Sequence, residues 1–378
     1  MQRHDHALLS PSLGQQRQLS SLHFGTPGAR PKVYLQASLH ADELPGMLVA
    51  HHLQALLAQA EARGELLGEV VLVPVANPIG LAQRLDRQPL GRFELGSGDN
   101  FNRHYPVLAD AVWDTVHPQL GPNASANVAR VRQAVAASLA QWVPATELDS
   151  LRRTLLLLAH DADVVIDLHC DGESVLHLYS EEACWPTLEP LARALGCQAV
   201  LLARNSGGSP FDECLSGLWW QLAERLQAAG LAHPLPQACA STTVELRGQA
   251  DVRHELAQAD AQALRAYLQH LGVLSASPTG PSALPALPCT PTPLAGSETL
   301  HSPVPGVLVF VAALGTPLRQ GDRVAEVIDP LTGQVTPLLA GVDGVFYARV
   351  PGRFVHSGEE VGKIAGARPF RTGPLLGF

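Results

Sequence analysis

The sequence predicts an α/β domain, a mixed and mostly parallel sheet flanked by helices, followed by a small all-β unit. Three observations carry that expectation. From about residue 31 to 272, short β-branched apolar runs alternate with longer segments of helical period. Pro278, Pro281, Pro285, Pro288, Pro291 and Pro293 then crowd a stretch that cannot continue a helix. Beyond residue 298 the chain breaks into short runs punctuated by Pro-Gly, Gly-Asp, Thr-Gly, Asp-Gly and Ser-Gly turns. The expected organisation is an α/β domain over 1–274, a proline-rich linker over 275–297, and a β unit with its tail over 298–378.

Within the first domain, strands are expected at residues 32–38, 70–75, 164–168, 175–179, 198–203 and 241–246. Each is a short apolar run rich in β-branched residues. Helical periodicity marks 44–62, 127–160 with a break near Pro144, 181–195, 214–229 and 252–271. In the β unit, Ser302-Pro-Val-Pro-Gly-Val-Leu with Leu318-Arg-Gln-Gly-Asp-Arg-Val is echoed by Ala340-Gly-Val-Asp-Gly-Val-Phe with Phe354-Val-His-Ser-Gly-Glu-Glu-Val. Such a weak repeat predicts two pseudo-symmetric sheet halves.

Composition narrows the function. Of 378 residues, 46% are hydrophobic and only 16% charged, so most of the chain must bury itself. A net charge of -9, with scattered basic residues, excludes a field for binding phosphate backbones, so no nucleic-acid partner is expected. No apolar run reaches the length of a membrane span, and residues 1–14 lack the apolar core of a signal peptide. The six cysteines stand 13 or more positions apart without a Cys-x-x-Cys pair, which fits a reducing cytoplasm.

Four constellations can carry chemistry. His40-Ala-Asp-Glu43 follows the first strand directly, where imidazole and carboxylate three residues apart can converge on one tetrahedral ion. An isolated pair of this kind is more often a capping or surface feature, and a second copy occurs at His356-Ser-Gly-Glu359. His169 ends the apolar run Val164-Val-Ile-Asp-Leu, completing a His₂Glu set with room for water, while Asp167 or Asp171 could orient an imidazole. Glu245 lies inside the apolar run Thr242-Thr-Val-Glu-Leu, either ion-paired with Arg247 on the same strand face or poised as a general base. Finally, Asn102-Arg103 sits in a long polar segment and suits a substrate carboxylate. Arg84, Arg87 or Arg92 could place a second cation near an oxyanion, and Arg204 is either a further carboxylate contact or a loop arginine.

Taken in order, His40-x-x-Glu43, Asn77-Pro78, Asn102-Arg103, Asp167-Leu-His169 and Val244-Glu245 resemble the succinylglutamate desuccinylase/aspartoacylase family, relatives of the zinc carboxypeptidases. The resemblance spans about residues 30 to 366. It implies a zinc carboxypeptidase-like fold and one zinc ion held by His40, Glu43 and His169. Glu245 would transfer protons, Asn102 and Arg103 would bind the substrate carboxylate, and Arg92, with Arg84 as its rival, would face the transition state. The activity implied is hydrolysis of the amide of an N-acylated amino acid. Two departures point to a different specificity: Asn100-Phe-Asn-Arg replaces the usual Asp-Leu-Asn-Arg, and the segment 204–213 is unlike that of aspartoacylase.

The C-terminal unit resembles the barrel-sandwich folds of lipoyl and biotinyl carriers. Its only lysine, Lys363, lies within the last strand instead of at a hairpin tip, which argues against a swinging arm and for a cover over the cleft or a homo-oligomer contact. A peptide-cleaving metallocarboxypeptidase and a non-catalytic metal or metabolite binder are the alternatives. Serine-hydrolase and nucleotide-binding signatures (Gly-x-Ser-x-Gly, Walker A, Gly-x-Gly-x-x-Gly after a strand) are absent from the sequence.

Overall fold

A computed structural model describes residues 1–276 and 284–376. Residues 277–283 of the expected linker, with Pro278 and Pro281, lie outside the described residues. The chain opens on β1 (Gln2–Ala7) and β2 (Gln18–Gly25), then β3 (Lys32–Ala37), α1 (Pro45–Ala62), β4 (Glu69–Val73) and the short α2 (Pro78–Leu81). A small hairpin of β5 (Arg84–Leu85) and β6 (Gln88–Pro89) precedes α3 (Leu108–Val116), α4 (Ala124–Gln141) and α5 (Glu147–Ala159). Then come β7 (Val164–Asp171), β8 (Glu173–Ser174), β9 (His177–Glu181), α6 (Trp185–Leu195), β10 (Ala199–Ala203), α7 (Phe211–Ala228), β11 (Ala240–Gly248) and α8 (His254–His270).

The main sheet has the order β1-β2-β4-β3-β7-β11-β9-β10, closed at its far edge by β12 (Thr292–Pro293). Pairings within β4-β3-β7-β11 and β9-β10-β12 are parallel, whereas β11 meets β9 antiparallel. This is the mixed, mostly parallel sheet that the alternation of runs predicts. Both faces are covered, which is why β4 carries the apolar run Val70-Val-Leu-Val and β7 opens on Val164-Val-Ile. One core packs residues of α1, α6 and α8, such as Leu53, Leu188 and Leu264, against one face. The other packs α3, α4, α5 and α7 through Val112, Val135, Leu155 and Leu218.

The expected helix over 127–160 is two helices, the second opened by a reciprocal Thr146–Asp149 capping box. Missing from the sequence reading are α3 and the β1–β2 hairpin. The hairpin's first strand, Gln-Arg-His-Asp-His-Ala, is an exposed edge with no apolar alternation to detect.

The C-terminal unit contains β13 (Ser297–His301), β14 (Gly306–Phe310), β15 (Pro317–Leu318), β16 (Arg323–Ile328), β17 (Val335–Leu339), β18 (Gly344–Arg349), β19 (Phe354–Val355) and β20 (Glu360–Gly366). They form two antiparallel sheets, β13-β20-β18-β15 and β17-β16-β14-β19, around a core including Leu308, Val324, Phe346 and Ile364. β8 pairs with β18, and Tyr179, Leu201, Leu294 and Tyr347 pack together at the joint. The unit therefore leans on the sheet edge beside the site. Among the described residues, no helix is long and apolar enough to cross a membrane.

Candidate metal centre and active-site cleft

Parallel strands β3, β7 and β11 deliver their carboxyl ends to one edge of the sheet, the usual location of sites in α/β folds. After β3 the buried Ser38 adopts a left-handed conformation, φ 61°, and its hydroxyl donates to the Glu43 carbonyl at 2.8 Å. That strained residue starts the tight turn on which His40 and Glu43 face one another. Asn77 caps α2 with its side-chain oxygen and donates from Nδ2 to the Leu39 carbonyl at 2.8 Å, pinning the turn from outside. Gly91 accepts from the Ala41 N–H at 3.0 Å, and a Cβ there would stand 2.2 Å from the Asp42 nitrogen. Only glycine permits that approach, which brings Arg92 to the site.

The ligating atoms of His40, Glu43 and His169 all lie within 4.8 Å of one another, and the three residues are 4%, 3% and 3% exposed. Each histidine turns Nδ1 toward one oxygen of the Glu43 carboxylate, His40 at 2.9 Å and His169 at 2.7 Å. Asn100 fixes the His40 tautomer. Its Oδ1 accepts the Asn102 N–H at 2.9 Å, so it is an oxygen and takes the His40 Nε2–H at 2.8 Å. Burial holds His40 below its ordinary pKa, against the raising effect of the Glu43 carboxylate beside its Nδ1. Such an arrangement of two imidazoles and a carboxylate fits a divalent ion.

Burial also opposes charge on His169, but Asp167 and Glu43 outweigh it and hold its pKa well above the usual value. Asp167 Oδ2 stands 3.0 Å from His169 Nε2, close enough to pair with it although not aligned as a hydrogen bond. Glu43, despite its burial, is kept well below the carboxylate range by His40 and His169, and its Oε2 also accepts the Cys170 N–H.

Glu245 on β11 lies opposite His169 on β7 and lines the same cleft. One of its oxygens is buried without a hydrogen-bond partner. Burial, with Glu43 and Asp171 nearby, pushes its carboxyl up to about 8, against the easing charges of His169 and Lys363. The alternative pairing with Arg247 is not formed. A register shift after Glu245 and a left-handed Arg247, φ 64°, turn that guanidinium to Asp260 on α8.

Asn102 and Arg103 also line the cleft, and the Asn102 side chain accepts from the Phe211 N–H at 2.9 Å. Arg92 reaches its rim with Nη1 3.4 Å from Glu43 and 3.5 Å from His40. Its rival Arg84 lies exposed in the β5–β6 hairpin, outside the cleft lining. Of the two readings of Arg204, a carboxylate contact or a loop arginine, its surroundings match the second. Its side chain is 63% exposed, pairs with Glu224 and stacks over Trp220 at 4.9 Å, outside the cleft lining. His356 and Glu359 pair on the exposed surface at 3.0 Å, with no third ligand among the described residues.

Sequence reasoning overlooked Asn100 as a support for His40, and it assigned no site role to Lys363. From β20, Lys363 lines the cleft and bonds Asp171 at 3.2 Å. Glu181, Asp212 and Glu213 line it too, with no motif to announce them.

Residues 29–271 match the model of the succinylglutamate desuccinylase/aspartoacylase catalytic domain, and the chain belongs to that family of deacylases. Among solved structures, it resembles a succinylglutamate desuccinylase/aspartoacylase family protein of Shewanella amazonensis SB2B (29% identity, 97% of this chain and 98% of that one, TM-score 0.81). A second, from Shewanella frigidimarina, shares 26% identity over 96% of each chain, with TM-score 0.82. The product-bound ectoine utilization protein EutE (DoeB) of Ruegeria pomeroyi, at 18% identity over 96% and 95% and TM-score 0.65, shares the fold. Comparison with curated proteins finds no match.

Proposed function

We propose that the chain is a zinc-dependent amidohydrolase that cleaves the amide bond of a small N-acyl amino acid or related N-acyl compound. The observation that carries this reading is the buried, partnerless carboxyl oxygen of Glu245 in the same cleft as the His40–Glu43–His169 cluster. When bound, a zinc ion would supply a water of lowered pKa and polarise the carbonyl. His40 and His169 are held for this by Asn100 and Asp167, which orient ligand imidazoles through their second nitrogens.

Glu245 accepts the proton of the attacking water and returns it to the departing amine nitrogen, a task open to a carboxyl that lines the cleft with one oxygen free of other hydrogen bonds. Asn102 and Arg103 bind the substrate carboxylate, and Arg92 faces the carbonyl oxygen as charge develops there. The cleft is a small cavity of about 100 Å³, which suits a small molecule. Lys363 and Leu294 narrow it from the C-terminal side.

Glu245→Gln tests the reading. Activity on N-acyl amino acids should fall by several powers of ten while metal content stays that of wild type. Loss of fold with loss of metal would make Glu245 structural. Faster hydrolysis of a dipeptide than of any N-acyl amino acid would favour a carboxypeptidase instead.

A further inference from the structure

Beyond the metal cluster the cleft carries more negative charge than the proposed chemistry uses. One face of the sheet presents Glu245, then Thr243 beside Tyr179 and Leu201, then Glu181 beside Ala203, as the registers of β11, β9 and β10 set them. Glu181 thus lies two rungs from Glu245, roughly 13 Å along the strands at ~3.3 Å per residue. Asp212 and Glu213, from the first turn of α7, line the same end.

Glu181 differs from an ordinary acidic surface group. It is 3% exposed, its Oε1 accepts the Trp220 indole N–H at 2.7 Å, and its Oε2 is buried without a partner. Asp212 accepts from the Thr243 hydroxyl and Glu213 from the Ser206 N–H. The positive charge of Arg103 acts on Asp212 and Glu213, but among the described residues no cationic side chain pairs with Glu181. Burial pushes Glu181 up to about 8, eased by the Ser216 and Trp220 side chains and reinforced by Glu213 and Asp212, and burial and Asp212 push Glu213 to about 7. A buried carboxyl of this kind is costly unless a ligand completes it.

We propose that this end of the cleft binds a cationic group of the substrate, an ammonium or guanidinium at the end of an amino-acid side chain, with Glu181 as its partner. This rests on the deacylase reading. The methylenes of such a side chain would lie along Tyr179, Leu201 and Ala203, which line the path to Glu181.

Calorimetric titration of the zinc-supplemented full chain, in a Glu245→Gln background that stops turnover, measures binding of Nα-acetyl-lysine, Nα-acetyl-norleucine and N-acetyl-glutamate. Release of amine by the wild type is followed for the same three compounds. The lysine derivative should bind at least tenfold more tightly than its uncharged counterpart, and Glu181→Gln should bring that ratio close to one. Equal or tighter binding of the norleucine or glutamate derivative overturns the proposal, as does a ratio unchanged by Glu181→Gln in a folded variant. If that variant fails to fold, the ligand series on the parent decides. Preference for lysine with no hydrolysis of any compound would sink the deacylase reading and leave the cation site standing. Hydrolysis without that preference does the reverse.

Discussion

Replacing Asn100 by alanine should weaken metal binding without touching a ligand. Asn100 Oδ1 accepts from His40 Nε2 at 2.8 Å and from the Asn102 backbone at 2.9 Å, so the truncation strands two donors. His40 and Asn102 are both buried, and a buried donor left unmade costs roughly 1–3 kcal/mol. It also frees the imidazole to turn or change tautomer, and loss of such a supporting partner typically lowers metal affinity about 10- to 100-fold. That factor corresponds to roughly 1.4–2.8 kcal/mol. Competition against a chromophoric chelator gives the affinity, and thermal melts followed by circular dichroism report the accompanying loss of stability, about 2 kcal/mol. Asn100→Asp keeps the acceptor, and since Asn100 Nδ2 has no partner it forfeits no hydrogen bond, so it should hold metal far better than the alanine variant. An alanine variant with wild-type affinity would refute the argument that Asn100 sets the His40 tautomer.

Elemental analysis of protein purified without chelator should find about one zinc per chain, lost in both His40→Ala and His169→Ala variants of confirmed fold. Retention of metal by either would remove that residue from the ligand set. Stability should fall as pH rises, because burial raises the Glu181 carboxyl from its ordinary 4.5 to about 8 in the folded chain. Below the ordinary value both states are protonated; between there and about 8 the unfolded chain binds fewer protons, so the folded state loses ground until the group ionises in both. Metal-free melting temperatures at pH 5 and pH 8 should therefore differ less in Glu181→Gln than in wild type. An identical difference in the two proteins would show that Glu181 does not drive the effect.

Much of the architecture is legible because it rests on local patterns. Apolar runs such as Val164-Val-Ile and Val70-Val-Leu-Val become strands buried on both faces, and Pro144 falls between two helices where proline is expected to break one. The β1–β2 hairpin escaped because a polar edge strand carries no hydrophobic period. In the site, the spacing of His40 and Glu43 and the polar ends of apolar strands at His169 and Glu245 were readable, since burying such groups demands a partner or a task. The two readings of Arg204 could not be separated in sequence because an arginine near a motif looks the same whether it faces a cleft or, as here, Glu224 and solvent.

The sequence by itself determined the class of chemistry: which residue types stand at the ends of which strands, and therefore what they can ligate or protonate. Tertiary structure alone decided their company. Glu43 and His169 are 126 positions apart, and it is the adjacency of β3, β7 and β11 that brings them together with Glu245. The same folding turned Arg247 to Asp260, brought Lys363 from the β unit into the cleft, and left Glu181 buried there with no cationic partner among the described residues. None of these pairings is set by local spacing. Each follows from strand order and packing, where the cost of burying charge selects among contacts that no local pattern distinguishes.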